Sequence, residues 1–165
     1  MLYYNSENNN KFPINVFTDY GRQNMTHNTL NPTALITAAI SVLSNSYAPY
    51  SHFNVAAAAL MGSGKIYTGV NVENASYPAG MCAERNAVFH AAACGERKLI
   101  AIAIVGGLKG EITHFCPPCG ICRQVMREFC DPREMQIILA KSAEEYKIFT
   151  LEQLLPESFG PDNLA

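Results

Sequence analysis

The chain has 165 residues, enough for one domain with a sizeable core, and 48 % of them are apolar, which fits a globular rather than a disordered protein. The formal net charge is −2, and the 12 Lys and Arg residues are scattered, so we expect no nucleic-acid partner. The six cysteines are too few for a disulfide framework, and no apolar run approaches the roughly 20 residues of a membrane span.

The first 28 residues are rich in Asn and have no sustained hydrophobic period, so we expect a mobile N-terminal arm followed by one domain over residues 29–165. Apolar side chains in this arm, such as Tyr3 and Phe17, leave open an ordered strap that docks on the domain. The arm lacks the basic start and apolar run of a signal peptide, so we expect a cytoplasmic protein with reduced thiols.

The domain is predicted to begin with a helix at Asn31-Pro32, because Asn is a good N-cap and Pro suits the first helical position. Apolar residues follow at helical spacing as far as Leu43. Next come two predicted strands, Phe53–Met61 and Ile66–Val70, which are joined by a tight turn over Gly62–Lys65.

A loop over residues 71–81 leads into a second predicted helix, Cys82–Cys94. The continuous apolar run Leu99–Val105, ended by Gly106-Gly107, predicts a central strand that is buried on both faces. The third predicted helix is Cys119–Phe129, and two short strands follow, Met135–Ala140 and Tyr146–Thr150. A last helix begins at Thr150, where Thr150 and Gln153 form a capping-box pattern. This alternation predicts a three-layer α/β/α fold with a mixed five-stranded sheet.

Three cysteines carry the strongest chemical signal in the chain. Cys119 and Cys122 are three residues apart at a helix start, so their sulfurs share one face, and Cys82 opens the preceding helix. Three thiolates can hold one Zn²⁺ and leave the fourth tetrahedral position for water. Glu84 lies two residues beyond Cys82, where it can move protons beside the metal without binding it.

Three thiolates make the zinc centre formally negative, which opposes the activation of water. The positive ends of the two helix dipoles offset part of this excess, since both predicted ligand segments lie at helix N-termini. Arg85 could offset more by hydrogen bonding to a ligand sulfur, although a surface ion pair remains an alternative for this side chain.

A closed structural zinc site is the alternative interpretation of these cysteines, with Cys116 as a fourth ligand. Two prolines separate Cys116 from the third helix and fix an extended path, so we expect this sulfur to lie away from the metal. We expect Cys94, Cys116 and Cys130 to be small buried thiols instead.

A Cys-x-Glu segment followed by Pro-Cys-x-x-Cys is typical of zinc-dependent base deaminases. Further stretches make the match more specific, since the chain resembles the homotetrameric cytidine deaminase family from about Pro32 to Leu164. These stretches are Ala48–Phe53 (APYSHF), Gly69–Tyr77 (GVNVENASY) and Leu154–Pro161 (LLPESFGP).

The resemblance implies a cytidine deaminase-like fold, a Zn²⁺ cofactor and hydrolytic conversion of cytidine, and of 2′-deoxycytidine, to the uridine forms and ammonia in pyrimidine salvage. In the implied mechanism water attacks C4 of cytosine, and Glu84 carries one proton to N3 and another to the departing amine.

The resemblance also implies binding roles. It assigns Asn71 and Glu73 to the ribose hydroxyls, and their spacing of two would aim both side chains to one side of an extended backbone. It places Phe53 against the base and the backbone of Ala83 at the pyrimidine edge. It further implies a homotetramer with shared active sites, in which Phe159 and Tyr77 lie at a neighbouring subunit's pocket.

One departure from the family is Ala56, where the family usually has Gly, and we expect its methyl group to lie close to the site. Three rival functions stay open. They are a deaminase for another aminopyrimidine nucleoside, such as the blasticidin S deaminases, a non-catalytic zinc-stabilised binding module, and an RNA or DNA editor. The Asn71/Glu73 pair opposes the first of these functions, and the position of Glu84 opposes the second. The scattered basic residues oppose the third.

Overall fold

The computed structural model describes residues 30–164. The predicted arm over residues 1–28 therefore lies outside the described residues. The predicted three-layer α/β/α fold with a mixed five-stranded sheet is confirmed. The helices and strands are α1 (Pro32–Val42), β1 (Phe53–Met61), β2 (Ile66–Val70), α2 (Ala83–Ala93), β3 (Leu99–Leu108), α3 (Gly120–Arg127), β4 (Gln136–Ala140), β5 (Tyr146–Thr150) and α4 (Leu151–Leu154).

The sheet has the strand order β2-β1-β3-β4-β5. The β3–β4 pair is parallel, whereas β1–β2, β1–β3 and β4–β5 are antiparallel. The sheet is therefore mixed, and the long strands β1 and β3 lie at its centre.

Helix α1 covers one face of the sheet. Asn31 caps it through a side-chain oxygen that accepts a hydrogen bond from the backbone N–H of Ala34 (3.1 Å), and Pro32 takes the first helical position as predicted. The helix buries Leu35, Ile36 and Ala39 against small residues of β1 and β3. Alanines at the sheet surface let the helix approach closely, and this layer contributes packing but no site residue.

Helices α2 and α3 cover the opposite face. Their buried residues form one core cluster with side chains of β1, β3 and β4, including Ala87, Val88 and Met126 from the helices and Ile102 and Ile104 from β3. Both helices begin at the same end of the molecule, so their N-termini lie close together and set up the site.

Strand β3 is longer than predicted, because it continues through Gly106 and Gly107 to Leu108, paired with the start of β1. Glycine interrupts a strand pattern in sequence, yet here it permits a close approach of backbone. A Cβ on Gly107 would overlap the carbonyl oxygen of Glu111 at 1.8 Å. The prediction that this strand ends at Val105 was therefore wrong.

The C-terminal part closes the α3 side of the fold. The predicted capping box at the start of α4 is present, with Thr150 and Gln153 bonded in both directions. After α4 the chain runs along α3 and ends in a single 3₁₀ turn, Pro161–Asn163. Among the described residues, no helix combines the length and the apolar character needed to cross a membrane.

Candidate metal centre and active-site cleft

Three sulfur atoms meet where α2 and α3 begin. Cys82 and Cys119 are the N-cap residues of the two helices, and Cys122 lies in the first turn of α3. The Sγ–Sγ distances are 3.9 Å for Cys82–Cys119 and 3.4 Å for Cys119–Cys122, and all three sulfurs lie within 4.8 Å of one another. Sulfurs bound to a tetrahedral zinc at about 2.3 Å are separated by about 3.8 Å, so the donor set fits zinc.

Cys116 does not belong to this sulfur cluster, which contains three residues in the part of the chain that the structure describes. Its sulfur lies outside the cluster, as the two prolines between Cys116 and α3 predict. Instead, Cys116 lines the adjacent cleft, and burial raises the pKa of its thiol to about 11. This sulfur is therefore a neutral wall group rather than a fourth ligand.

Interactions within the sulfur cluster favour ionisation of Cys82. A hydrogen bond from Cys122 and another from Arg85 lower the pKa of Cys82 to about 5, while the shared proton and burial raise the pKa of Cys122. The guanidinium Nη2 of Arg85 lies 3.7 Å from the sulfur of Cys82, and this bond raises the pKa of Arg85. The cation thus offsets part of the negative charge that three thiolates bring.

Glu84 is a buried carboxyl group in the first turn of α2, with only 5 % of its surface exposed. Burial is the main cause that raises its pKa, and the negative charge on Cys82 adds to it. A carboxyl group with a raised pKa gains and loses a proton more readily near neutral pH than an exposed one. Its position beside the sulfurs makes it the candidate proton carrier.

A cleft of about 630 Å³ opens over the sulfurs and Glu84. This volume suits a small molecule rather than a polymer. One wall comes from the start of α2 and from Cys116 and Pro117, and the other comes from the loops before β1 and after β2. Of the predicted site residues, the lining includes Asn71, Glu73, Tyr77, Cys82, Ala83, Glu84, Arg85 and Cys119.

The side chain of Asn71 is fixed by three hydrogen bonds. Its Oδ1 accepts from the hydroxyl of Ser46 (2.5 Å) and from the backbone N–H of Val55 (2.8 Å). Its Nδ2 donates to the carbonyl oxygen of Phe53 (2.8 Å). The second N–H of this amide has no partner among residues 30–164, so it can donate to a molecule bound in the cleft that Asn71 lines.

The carboxylate of Glu73 holds the loop before β1. Its Oε2 accepts from the backbone N–H groups of Tyr50 (2.9 Å) and Ser51 (3.2 Å), and its Oε1 accepts from the hydroxyl of Ser51. The bond from that hydroxyl is the main cause that lowers the pKa of Glu73. The group is therefore ionised and retains acceptor capacity for a further donor.

The predicted aromatic residues are placed differently. Tyr77 lines the cleft but is 80 % exposed, and its ring meets Tyr50 edge-on with centroids 6.4 Å apart. Phe53 and Phe159 are not among the residues that line the cleft. Phe159 is 60 % exposed and has its backbone carbonyl bonded to Gln124.

Two expectations from the sequence need correction. Ala56 belongs to the core cluster beneath α1, on the face of the sheet opposite α2 and α3, so its methyl group does not approach the metal ligands. Alternation along β1 is the reason, because Ala57, one residue on, faces α2. Cys94 is exposed at the C-terminal end of α2, whereas Cys116 and Cys130 are partly buried.

The sequence reasoning missed Ser46 and Ser51, which orient the two predicted sugar ligands. Ser51 lies in the Ala48–Phe53 stretch, and its place in that motif could have marked it as a site residue. Nothing local marks Ser46, because its bond to Asn71 joins residues 25 positions apart. It also missed Gly69, where a Cβ would lie 2.4 Å from the backbone nitrogen of Ala87 in α2.

Comparison with known proteins gives one consistent family. Residues 31–138 match the family model described as the cytidine and deoxycytidylate deaminase zinc-binding region. The chain is 42 % identical to a cytidine deaminase of Halalkalibacterium halodurans over 130 residues, which are 79 % of this chain and 95 % of that protein.

Solved structures agree with this result. A cytidine deaminase from Burkholderia pseudomallei superposes with a TM-score of 0.70 at 42 % identity, covering 82 % of this chain and all of that one. A cytidine deaminase from Mycobacterium tuberculosis superposes with a TM-score of 0.68 at 36 % identity, covering 80 % of this chain and 99 % of that one.

Proposed function

Because this chain belongs to the cytidine deaminase family, we infer that it catalyses the hydrolytic deamination of cytidine to uridine, with release of ammonia. The observation that carries this function is the buried carboxyl of Glu84 beside three convergent sulfurs at the floor of one cleft. We extend the substrate range to 2′-deoxycytidine and place the reaction in pyrimidine salvage. The dependence on thiolate ligands favours a reducing compartment such as the cytosol.

Cys82, Cys119 and Cys122 are the proposed zinc ligands. When bound there, zinc would supply the Lewis acidity that makes a water molecule nucleophilic near neutral pH. The two helix N-termini and Arg85 counter the excess negative charge of three thiolates, which would otherwise make that water less acidic. The three-sulfur donor set supports a catalytic site over a closed structural one.

Glu84 performs the proton transfers in the proposed mechanism. Its carboxylate takes a proton from the water that adds to C4 of the pyrimidine and delivers it to N3. It then transfers the second proton of that water to the amino group, the C4–N bond breaks and ammonia leaves. One carboxyl group suffices because the transfers are sequential, and its raised pKa suits a group that must accept and release protons in turn.

Asn71 and Glu73 are the proposed sugar ligands, and their hydrogen bonds define what they can recognise. Glu73 can only accept, whereas the free N–H of Asn71 can only donate. A single hydroxyl group satisfies both, since it donates its hydrogen to Glu73 and accepts from Asn71. Recognition of one hydroxyl is compatible with both ribose and deoxyribose, which supports activity on both nucleosides.

Phe53 and Ala83 complete the proposed contacts with the base. Ala83 lines the cleft at the first helical position of α2, where its backbone N–H is not used by the helix and can donate to the pyrimidine edge. Phe53 does not line the cleft of its own chain, but its carbonyl oxygen is bonded to Asn71, so the proposed base contact lies beside the proposed sugar ligand.

We assign the active form to a homotetramer in which neighbouring subunits complete the cleft. The cleft is open to solvent beside Tyr77, and the exposed ring of Phe159 has no place in the cleft of its own chain. An aromatic ring that stacks on the pyrimidine from an adjacent subunit would supply the missing wall.

The deciding experiment follows the ultraviolet absorbance of cytidine during incubation with the purified protein, together with an assay for ammonia. We expect loss of the cytidine band and an equal amount of ammonia, abolished by a zinc chelator and restored by added zinc. Protein with bound zinc that leaves cytidine unchanged would refute the function.

A further inference from the structure

Arg127 joins the metal-binding helix α3 to the C-terminal segment of the chain. It lies in the last turn of α3, and its side chain is 8 % exposed. Its Nε donates to the hydroxyl of Ser158 (3.2 Å), and its Nη2 forms an ion pair with Asp162 (2.8 Å). The guanidinium group therefore makes three contacts with the C-terminal segment: a hydrogen bond to Ser158, an ion pair with Asp162 and a packing contact with the backbone of Gly160.

Gly160 shows how tightly the segment is packed. A Cβ on this residue would lie 2.4 Å from Cζ of Arg127 and 2.7 Å from its Nε. Only glycine therefore fits at this position, between Ser158 and Asp162, the two residues that bind Arg127. The guanidinium cannot easily move aside, because it is bonded on both sides and almost entirely buried.

Two further side chains of α3 bind the C-terminal part of the chain, one at the end of α4 and one at Phe159. Gln124 donates to the carbonyl oxygen of Phe159 (3.0 Å), and Arg123 donates to that of Leu154 (2.7 Å). The backbone of Phe159 is thus held directly, and both of its neighbours contact Arg127. The ring of Phe159 nevertheless remains 60 % exposed. A fixed backbone with a free ring suits a side chain that acts on another molecule.

We propose that Arg127 is a positioning residue for substrate binding, because it holds the segment 158–162 so that the ring of Phe159 is presented to the cleft of a neighbouring subunit. This proposal rests on the proposed tetramer with shared sites. A loose tail would have to be ordered each time the ring entered the cleft, and that entropy cost would weaken binding. Arg127 therefore acts on KM, whereas kcat depends on Glu84 and the metal ligands.

The test compares steady-state kinetics on cytidine for zinc-loaded variants of the full chain. Stacking of a base on an aromatic ring corresponds to about a 5- to 160-fold change in binding, so Phe159→Ala should raise KM within that range. Arg127→Ala should raise KM by ~3- to 10-fold, since it removes the ordering but leaves the ring. Neither change should alter kcat at saturation or zinc content by more than about twofold.

Gly160→Ala provides a second variant, which removes no hydrogen-bonding group from the chain. Its added methyl group should displace the segment from Arg127 and raise KM in the same way, so the proposal can be tested even if Arg127→Ala folds poorly. Arg133→Ala is the matched control, because Arg133 also pairs with an aspartate, Asp131, but is exposed and, among the described residues, forms no hydrogen bond or ion pair with the segment 158–162. It should leave KM unchanged.

The double variant Phe159→Ala/Arg127→Ala separates positioning from general stability. If Arg127 acts through the ring, the double variant should have the KM of Phe159→Ala alone. Independent, multiplying effects would overturn the proposal, and so would an Arg127→Ala enzyme that matches the Arg133→Ala control. A normal KM for Phe159→Ala would instead refute the role of the tail in the shared site, and the positioning role would fall with it.

Discussion

Glu84 concentrates the proton chemistry of the site in one buried side chain. Glu84→Gln keeps the size of the side chain and removes its ability to carry a proton. We expect zinc to stay bound, since the three sulfurs are unchanged, while kcat falls by at least ~10²- to 10⁴-fold, the usual range for loss of a general acid or base.

Metal analysis and single-turnover kinetics measure both quantities, and Glu134→Gln, an exposed glutamate remote from the cleft, is the control. A zinc-loaded Glu84→Gln enzyme with nearly normal kcat would remove Glu84 from the mechanism.

Glu73 combines two tasks, because it is proposed to bind the sugar and it also holds the loop at Tyr50 and Ser51. Glu73→Ala should raise the KM for cytidine by ~10-fold or more, since a buried hydroxyl of the substrate would lose its acceptor. Ser51→Ala weakens only the loop contact and should raise KM by about two- to fivefold. Equal KM values for the two variants would restrict Glu73 to holding the loop.

The two helix N-termini of α2 and α3 act as one unit, because each supplies part of the metal site. Changing Cys82, Cys119 or Cys122 singly to Ala should abolish zinc binding and activity and lower the melting temperature, since metal binding is coupled to folding. Cys116→Ala, the matched control within the same cleft, should keep its zinc. Zinc loss by Cys116→Ala, measured by metal analysis, would favour a closed structural site.

At the scale of helices and strands, the sequence predicts those features that are coded locally. The Asn31-Pro32 start, the Thr150/Gln153 capping box and the run of apolar residues in β3 each lie within a few positions, and each is present. The roles of glycines that make room for residues distant in sequence cannot be predicted in this way. Gly107 makes room for Glu111, and Gly69 for the backbone of α2, so their roles depend on packing that the sequence alone does not display.

The same limit applies to the candidate site. The spacing of Cys119 and Cys122 predicts that their sulfurs share one face, because both lie on one helical turn. The partners of Asn71 come from the residues Ser46, Phe53 and Val55, which only the folded sheet brings together. The exposure of Cys94 was also missed, because this residue is the C-cap of α2 and its surroundings are set by the fold rather than by its neighbours in sequence.

For the whole molecule, shared active sites make a complementation test possible. One partner is Glu84→Gln with an intact tail, and the other is a chain truncated after Glu157 with an intact Glu84. Each should be inactive alone, whereas co-refolding the two should restore part of the activity if the truncated chain still assembles. Mixed tetramers verified by native mass spectrometry that remain inactive would contradict completion by a neighbour, and a monomer in sedimentation would exclude it.

The distance along the chain between the ligands has a kinetic consequence. Cys82 and Cys119 are 37 positions apart, and α2 and the central strand β3 lie between them. Contacts of such long range form late and slowly, so the metal site is complete only after both helices have docked on the sheet. Zinc should therefore leave the refolding rate almost unchanged and slow unfolding strongly. Stopped-flow measurements with and without a chelator would show this asymmetry. The metal would then stabilise the folded state against unfolding without taking part in the folding nucleus.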